Sequence, residues 1–269
     1  MITVKDKCKR LKDILREMER VVVAFSGGVD STFLLKVAYD VLGKDNVLAV
    51  TANSETYPQR ELEEAKILAD LIGVQHQIIE TSELSIPGYT ENDQNRCYFC
   101  KNSLFEHVVP IMKEKGYHNV IYGLIADDMN EHRPGMRAAE EHGVRGPLQE
   151  AQLFKEEIRA LSKELEIPTW NKPSFACLSS RIAYGEEITQ EKLTKVEKSE
   201  EYLRNLGIRQ VRVRTHEEIA RIEVEPNDMS LVLAKHDEIM NQLQQFGYKF
   251  VTLDLQGYKS GSMNKVLSS

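Results

Sequence analysis

The residues with the clearest chemical potential are SGGVDS at positions 26–31, between the apolar run 21–25 and an apolar helical pattern. Glycines at a strand-to-helix turn let the backbone approach a ligand, and the first N–H groups of the helix attract an anion. Asp30 would repel a bare phosphate, so its carboxylate suits a site where Mg²⁺ lies between it and phosphate oxygens. The alternative is an ordinary turn with Asp30 as a helix cap. We expect a magnesium pyrophosphate site.

Three cysteines could take part in sulfur or metal chemistry. Cys97 and Cys100 form a C-x-x-C pair, which suits a zinc half-site, a redox pair or two buried thiols. Cys177 lies close to Ser180 and Arg181, whose polarity and charge favour a thiolate. Its alternative is a small buried hydrophobic residue, which is common for cysteine.

The elements that must position these residues follow two patterns. From residue 21 to about 165, short apolar runs alternate with helical patterns, which predicts an α/β fold with a doubly wound parallel sheet. In such a sheet ligands bind beyond the carboxyl ends of the strands, where the turn falls. The predicted strands of this part are 21–25, 47–52, 76–80 and 120–125.

The remaining residues predict a second, smaller α+β domain. Its predicted elements are helix 189–206, strands 210–215 and 219–225, helix 227–246 and strand 249–255. We therefore expect a nucleotide-binding domain over residues 1–186, which carries the turn and the cysteine motifs. A substrate-binding or oligomerisation domain is expected over residues 187–269.

Charged residues of the second domain form a second candidate site. Alternation along its first strand places Arg212 and Arg214 on one face, with Glu223 on the next strand. This pattern suits a solvated hairpin face with ion pairs, or guanidinium groups that bind phosphate or carboxylate. Glu200 falls on the apolar stripe of its helix, where a carboxylate needs a partner. It could meet the arginines, bind a divalent metal together with Glu223, or reach water.

Composition limits the classes of function. The chain has 269 residues, of which 41% are hydrophobic, so it can bury a substantial core. It has no apolar run long enough for a membrane span, and its charged start is unlike a signal peptide, so we expect a cytoplasmic protein. The net charge of −7 disfavours nonspecific nucleic-acid binding. Cys8 repeats with Leu11, Leu15 and Met18 on one helix face, which predicts a core position.

The turn resembles the pyrophosphate loop of adenylating enzymes related to asparagine synthetase, GMP synthetase and NAD synthetase. Segments 133–148 (RPGMRAAEEHGVRGPL), 166–185 (EIPTWNKPSFACLSSRIAYG) and 253–264 (LDLQGYKSGSMN) are similar to the LarE family. These ATP-dependent sulfur transferases make the nickel-pincer nucleotide cofactor of lactate racemase. The resemblance implies that ATP adenylates a carboxylate of a pyridinium dicarboxylate mononucleotide. A sulfur nucleophile then displaces AMP, which leads to a thiocarboxylate.

The resemblance also implies roles for individual residues. The phosphates and Mg²⁺ would be held by Ser26, Gly27, Gly28, Asp30 and Ser31, and the adenosine would be bordered by Thr51, Ser54 and Gly123. The residues after Gly123 depart from the loop family, which often has small polar residues there, because this chain has Leu124 and Ile125. Asp127 and Asp128, which follow, could simply cap a helix. Substrate would be bound by Ser180, Arg181, Arg212 and Arg214.

Cys177 takes the position of the family's reactive thiol. The resemblance implies that members with all three cysteines hold a [4Fe-4S] cluster through Cys97, Cys100 and Cys177, since each cubane iron accepts one external ligand. Other members sacrifice the sulfur of the later cysteine. We therefore predict a homo-oligomeric sulfur-inserting enzyme that uses ATP, Mg²⁺ and a [4Fe-4S] cluster. The alternatives are a sacrificial Cys177, a cluster-dependent tRNA thiolation enzyme, and a nucleotide-binding regulatory module without turnover.

Overall fold

The computed structural model describes residues 3–130 and 134–267, so Arg133 at the start of one family segment lies outside it. The chain divides into two compact units. The first contains residues up to Thr81 together with Cys97–Lys172, and the second contains Ser82–Arg96 and the residues from Pro173 onward. The domain boundary between residues 186 and 187 stays a prediction. The second compact unit also includes residues 82–96 and 173–186, which precede that boundary.

The first unit is built around a four-stranded sheet of order β3-β2-β1-β4, in which all neighbouring strands are parallel. This confirms the predicted α/β fold. Its strands are β1 (Val21–Ala24), β2 (Val47–Asn53), β3 (Gln75–Glu80) and β4 (Asn119–Tyr122). Its helices are α1 (Val4–Met18), α2 (Val29–Leu42), α3 (Gln59–Ile72), α4 (Arg96–Glu114), α5 (Pro134–Glu141), α6 (Pro147–Glu150) and α7 (Lys155–Glu164).

The central strand β1 is buried on both faces, as expected for a parallel sheet covered by helices. Because successive side chains point to opposite faces, Val21 and Val23 join the apolar layer that contains α1 and α2 residues. Val22 and Ala24 join the layer that contains α4 residues. The turn after β1 is therefore fixed between two packed layers.

Two local predictions for the first unit need correction. Strand β4 ends at Tyr122 rather than at residue 125, because the Leu124 N–H turns back to the Tyr122 carbonyl. Cys8 is only half-buried, although Leu11 and Met18 of the same stripe are buried. It lies one turn from the start of α1, where the stripe leaves the core.

The second unit contains a three-stranded sheet of order β5-β6-β7, with β5 and β6 antiparallel and β6 and β7 parallel. Its strands are β5 (Val211–His216), β6 (Ile219–Val224) and β7 (Phe250–Leu253), and its helices are α8 (Gln190–Asn205), α9 (Met229–Ala234) and α10 (His236–Gln245). The single predicted helix 227–246 is wrong, because the chain leaves the helical conformation at Lys235. Valines of β5 pack with residues of α8 and α10, which leaves the arginines on the opposite face.

Across residues 3–130 and 134–267, no helix is long and apolar enough to span a membrane. The cytoplasmic location stays a prediction.

Candidate active site

The turn between β1 and α2 has a backbone that only glycine adopts easily. Gly27 has φ +64°, and a Cβ at this position would lie 3.2 Å from the Cβ of Ala65 on α3. The hydroxyl oxygens of Ser26 and Ser31 lie 3.1 Å apart, and the Ser26 N–H donates to the Ser31 hydroxyl at 3.3 Å. These contacts between Ser26 and Ser31 hold the polar groups of the turn in fixed positions.

Asp30 lies in the first turn of α2 and is paired with a lysine that the sequence did not identify. The Nζ atom of Lys155 lies 2.9 and 2.8 Å from the two carboxylate oxygens of Asp30. The backbone N–H of Lys155, at the start of α7, donates to Asp127 at 2.8 Å. The end of α7 nearest the turn therefore carries a cation that is already placed beside Asp30.

Gly123, after β4, comes close to the start of α2. A Cβ on Gly123 would lie 3.0 Å from the backbone nitrogen of Ser31 and 3.3 Å from the Cβ of Asp30. The structure thus brings Gly123 together with two of the predicted phosphate-binding residues. Asp128 accepts the Ile125 N–H at 3.1 Å. Both aspartates after Gly123 therefore bind backbone N–H groups, in accord with the capping alternative.

The predicted adenosine residues lie at the end of β2. The Thr51 hydroxyl, which is buried, donates to the Phe25 carbonyl at 2.7 Å and lies 2.8 Å from Nε2 of His76. Since Thr51 has one hydroxyl hydrogen, Nε2 of His76 must donate in this pair. Burial lowers the pKa of His76, so its ring is neutral at pH 7. The half-buried Ser54 follows the strand and lies 3.3 Å from the Thr56 hydroxyl.

These features fit a magnesium–nucleotide ligand. Gly27 and Gly28 carry no side chains that would keep a phosphate from the backbone, and the first N–H groups of α2 have no partners within the helix. A single carboxylate such as Asp30 is sufficient, because Mg²⁺ keeps several waters and binds one or two carboxylates together with substrate phosphates.

The cysteines divide between the two units. Cys97 and Cys100 lie in the first turns of α4, three residues apart and hence on neighbouring positions of one helix side. Cys97 is exposed, whereas Cys100 and Cys177 are half-buried. The donor chemistry of three accessible thiols fits an iron–sulfur cluster. Among the residues with described positions, however, no group of three or more Cys, His, Asp or Glu side chains is arranged to hold a metal ion.

In the second unit, Arg181 connects the segment of Cys177 to α8. Its guanidinium is fully buried and forms two hydrogen bonds with Glu200, at 2.8 and 3.0 Å. The remaining nitrogen, Nη1, donates to the carbonyls of Ala176 and Cys177 at 2.6 and 2.8 Å and to the Ser180 hydroxyl at 3.0 Å. Each nitrogen of the Arg181 guanidinium thus has a partner, and Nη1 fixes the Cys177 segment.

Glu200 acts as the counter-ion of two arginines. Besides Arg181, Arg204 donates to it at 2.7 Å, and the backbone N–H of Val213 donates at 3.1 Å. Burial would raise the pKa of Glu200, but the charge and hydrogen bonds of Arg181, together with the charges of Arg204 and Arg212, hold it at about 2. Neither carboxylate oxygen faces an open position, so this side chain does not fit a divalent metal without release of an arginine.

Arg212 and Arg214 lie on one face of β5, as alternation predicts, but they are 5% exposed, which excludes a solvated hairpin face. Arg214 donates to Glu223 at 3.0 and 2.8 Å. Glu223 also accepts from Arg221 at 3.2 Å, so it too is an arginine counter-ion. Burial, followed by the charge of Arg181, lowers the pKa of Arg212 to about 10. This face therefore has an excess of positive charge that an anion would relieve.

Comparison with known proteins defines the class and then the family. A family model described as NAD synthase matches residues 3–97. Together with the parallel sheet and its glycine turn, this match defines an ATP-using enzyme of the pyrophosphate-loop class. The chain is 41% identical to the pyridinium-3,5-bisthiocarboxylic acid mononucleotide synthase of Lactiplantibacillus plantarum, over 100% of this chain and 97% of that protein. The chain belongs to this LarE family of sulfur transferases.

Two further relatives match over almost their whole length. An uncharacterized protein of Synechocystis sp. is 46% identical over 98% of this chain and 99% of its own. An uncharacterized protein of Methanocaldococcus jannaschii is 30% identical over 94% of this chain and 98% of its own. The similarity thus covers both compact units.

Proposed function

We propose that the protein adenylates a carboxylate of a pyridinium dicarboxylate mononucleotide with ATP and converts it to a thiocarboxylate. The observation that carries the proposal is the 41% identity along the whole chain to a synthase named for the bisthiocarboxylic acid mononucleotide. The turn between β1 and α2 adds independent support, because it offers N–H groups, hydroxyls and one carboxylate at a helix start.

In the first step, a carboxylate oxygen of the substrate attacks the α-phosphorus of ATP, and the bond from that phosphorus to the bridging oxygen breaks. The leaving pyrophosphate would be held by the N–H groups and hydroxyls of Ser26, Gly27, Gly28 and Ser31. Asp30 would exchange Lys155 for Mg²⁺, and the Lys155 ammonium would then face the phosphates. A positive charge that is already in place where negative charge develops in the transition state lowers the activation barrier, because the protein need not rearrange during the reaction.

The nucleotide's adenosine would lie at the carboxyl ends of β2 and β4. Gly123 packs closely against the start of α2 at the end of β4, and Ser54 follows the end of β2. The Thr51 hydroxyl is engaged with the Phe25 carbonyl, so we assign Thr51 the support of the strand end. Direct contacts to the adenosine would then come from backbone groups beyond it.

The substrate phosphate would bind Arg212 and Arg214. Their positions on one face of β5 and their burial support this assignment, because a bound anion would offset the cost of holding two guanidinium groups away from water. Ser180 is half-buried and its hydroxyl donates to the Cys177 carbonyl at 2.8 Å. Arg181, whose donors are used by Glu200 and the Cys177 segment, would order the cysteine rather than contact the substrate.

The second step needs a sulfur that displaces AMP from the acyl adenylate. We propose that Cys97, Cys100 and Cys177 hold a [4Fe-4S] cluster, which would bind an added sulfide as the transferred sulfur and would itself be retained. The alternative within the same pathway is that the Cys177 thiolate attacks directly and later loses its sulfur. Protein mass separates the two, because only the sacrificial route removes one H₂S from each chain.

The test is release of AMP and pyrophosphate in the presence of Mg²⁺, with and without the dicarboxylate mononucleotide. Asp30→Asn should abolish the substrate-dependent release. The matched control Asp40→Asn, which changes a carboxylate of the same helix that pairs with Lys36, should leave it intact. Nucleotide binding without any release of AMP would instead indicate a regulatory module, and tight tRNA binding would indicate the thiolation enzyme.

We also propose a homo-oligomer, as the family resemblance implies. Phe250 lies on the edge strand β7 and Leu255 follows it, and these two apolar side chains are 61% and 87% exposed. Contact with a second copy of the chain would cover them, which supports the proposal. Light scattering of the purified protein tests this, and a monomeric mass at working concentration would contradict it.

A further inference from the structure

Lys172 is the last residue of the first unit, and its side chain does not behave as a surface lysine. The side chain is only 10% exposed. Its Nζ atom lies 2.7 Å from Glu61 and 3.0 Å from Glu64, both on α3, and donates to the Gly27 carbonyl at 3.0 Å. The ammonium thus lies between two carboxylates of α3 and a carbonyl of the turn at 26–31, which we call the pyrophosphate turn.

The contact with Gly27 sets the direction of the turn's N–H groups. In a trans peptide the C=O bond points opposite to the N–H of the next residue. By holding the Gly27 carbonyl, Lys172 aims the Gly28 N–H to the other side. Tyr57 acts in the same way one residue earlier, because its hydroxyl donates to the Ser26 carbonyl at 2.8 Å. The two side chains fix the donors that would meet an anion.

The main chain at Lys172 is also held by hydrogen bonds. Arg159 on α7 donates to the carbonyls of Trp170 and Lys172 at 2.7 and 2.9 Å. Cys177 follows five residues later, a distance of at most about 18 Å along an extended chain. A movement at Lys172 must therefore be absorbed by four residues or passed on to the cysteine segment.

We propose that Lys172 is a positioning residue that couples occupation of the pyrophosphate turn to the position of the segment that carries Cys177. Bound phosphates attract the N–H groups of the turn and compete with Glu61 and Glu64 for the ammonium. Either effect changes the contacts of Lys172 and hence the start of the chain that leads to Cys177. The inference rests on the proposed function in one respect, because ATP must bind at the turn.

The experiment combines calorimetry with hydrogen–deuterium exchange mass spectrometry on the full-length protein, with and without MgATP. In the parent, MgATP should slow exchange in the segment 174–181 by about fivefold or more, the lower range of ordinary couplings between sites. Lys172→Met should remove this response, and Lys172→Arg should restore a large part of it. The control is Lys66→Met on α3, whose lysine pairs with the exposed Glu63 and should leave the response unchanged.

The outcomes separate the coupling from the proposed function. If the parent binds no MgATP by calorimetry, nucleotide binding at the turn is wrong, and the coupling is overturned with it. If the parent binds MgATP but exchange in 174–181 does not change, or if Lys172→Met keeps the full response, the coupling is overturned and the proposed function stands. A purely structural Lys172 would lower the melting temperature of Lys172→Met and leave the MgATP response intact.

Discussion

Glu200→Gln should destabilise the second unit in a manner that depends on pH. Glutamine keeps the shape of the side chain but removes the charge that balances Arg181, which is 0% exposed. The pKa of Glu200 falls from 4.5 to about 2 on folding. A pKa that is lowered by folding adds stability above the unfolded value, and this stability is lost as pH falls from 4.5 towards 2.

The magnitude follows from that difference between the two pKa values. It corresponds to about 3 kcal/mol at pH 7, and roughly half of it remains at pH 3. The independent expectation for breaking a buried ion pair is about 3 to 5 kcal/mol, which agrees in size. Solvent screening does not reduce the figure, because both partners are buried.

The assay is native-state hydrogen exchange in β5, where the Val213 N–H donates to Glu200. The free energy of opening is compared between parent and variant at pH 7 and pH 3. Fluorescence of Trp170, the only tryptophan, follows the first unit and should not change. Glu191→Gln, which alters an exposed carboxylate of the same helix, is the matched control. A loss below about 1 kcal/mol at pH 7, or an equal loss at both pH values, would refute the reasoning.

Three further variants address the proposed ligand sites. Gly27→Ala should cost about 1 to 2 kcal/mol of stability, because alanine is strained at φ +64° and its Cβ would meet Ala65; urea unfolding measures this, and an unchanged midpoint would contradict it. Lys155→Met should weaken ATP binding, more without Mg²⁺ than with it, since Asp30 then repels the phosphates; equal calorimetric affinities of parent and variant would exclude that role. Arg212→Lys should weaken mononucleotide binding and spare MgATP binding, and an unaltered dissociation constant for the mononucleotide would leave Arg212 without a substrate role.

Local sequence patterns predicted much of the candidate site. The features that these patterns missed depend on contacts between residues far apart in the sequence. The turn at 26–31 could be identified because strand, glycines and helix follow one another directly. The shared face of Arg212 and Arg214 follows from alternation alone. Alternation does not reveal what covers a polar strand face, so the burial of these arginines could not be predicted.

The ion pairs between distant residues could not be predicted from the sequence either. Lys155 and Asp30 are 125 residues apart, and Arg181 and Glu200 are 19 apart on different elements. No periodicity joins such positions. The one available signal was the position of Glu200 on an apolar stripe. A carboxylate there needs a charged or hydrogen-bonding partner, but the sequence does not show which residue it is. Lys172 gave no signal beyond its place in a family segment.

The division of the second unit into two pieces of chain has a consequence for biosynthesis. Asn92 is fully buried, and its amide donates to the carbonyls of Ala183 and Glu186 at 2.7 and 3.1 Å. At about 5 to 20 residues per second, the ribosome needs roughly 5 to 18 s to pass from Asn92 to Ala183. During this interval the segment 82–96 is part of the nascent chain without its later partners in the second unit. Chaperones that shield it would therefore act before the segment with Cys177 has been synthesised.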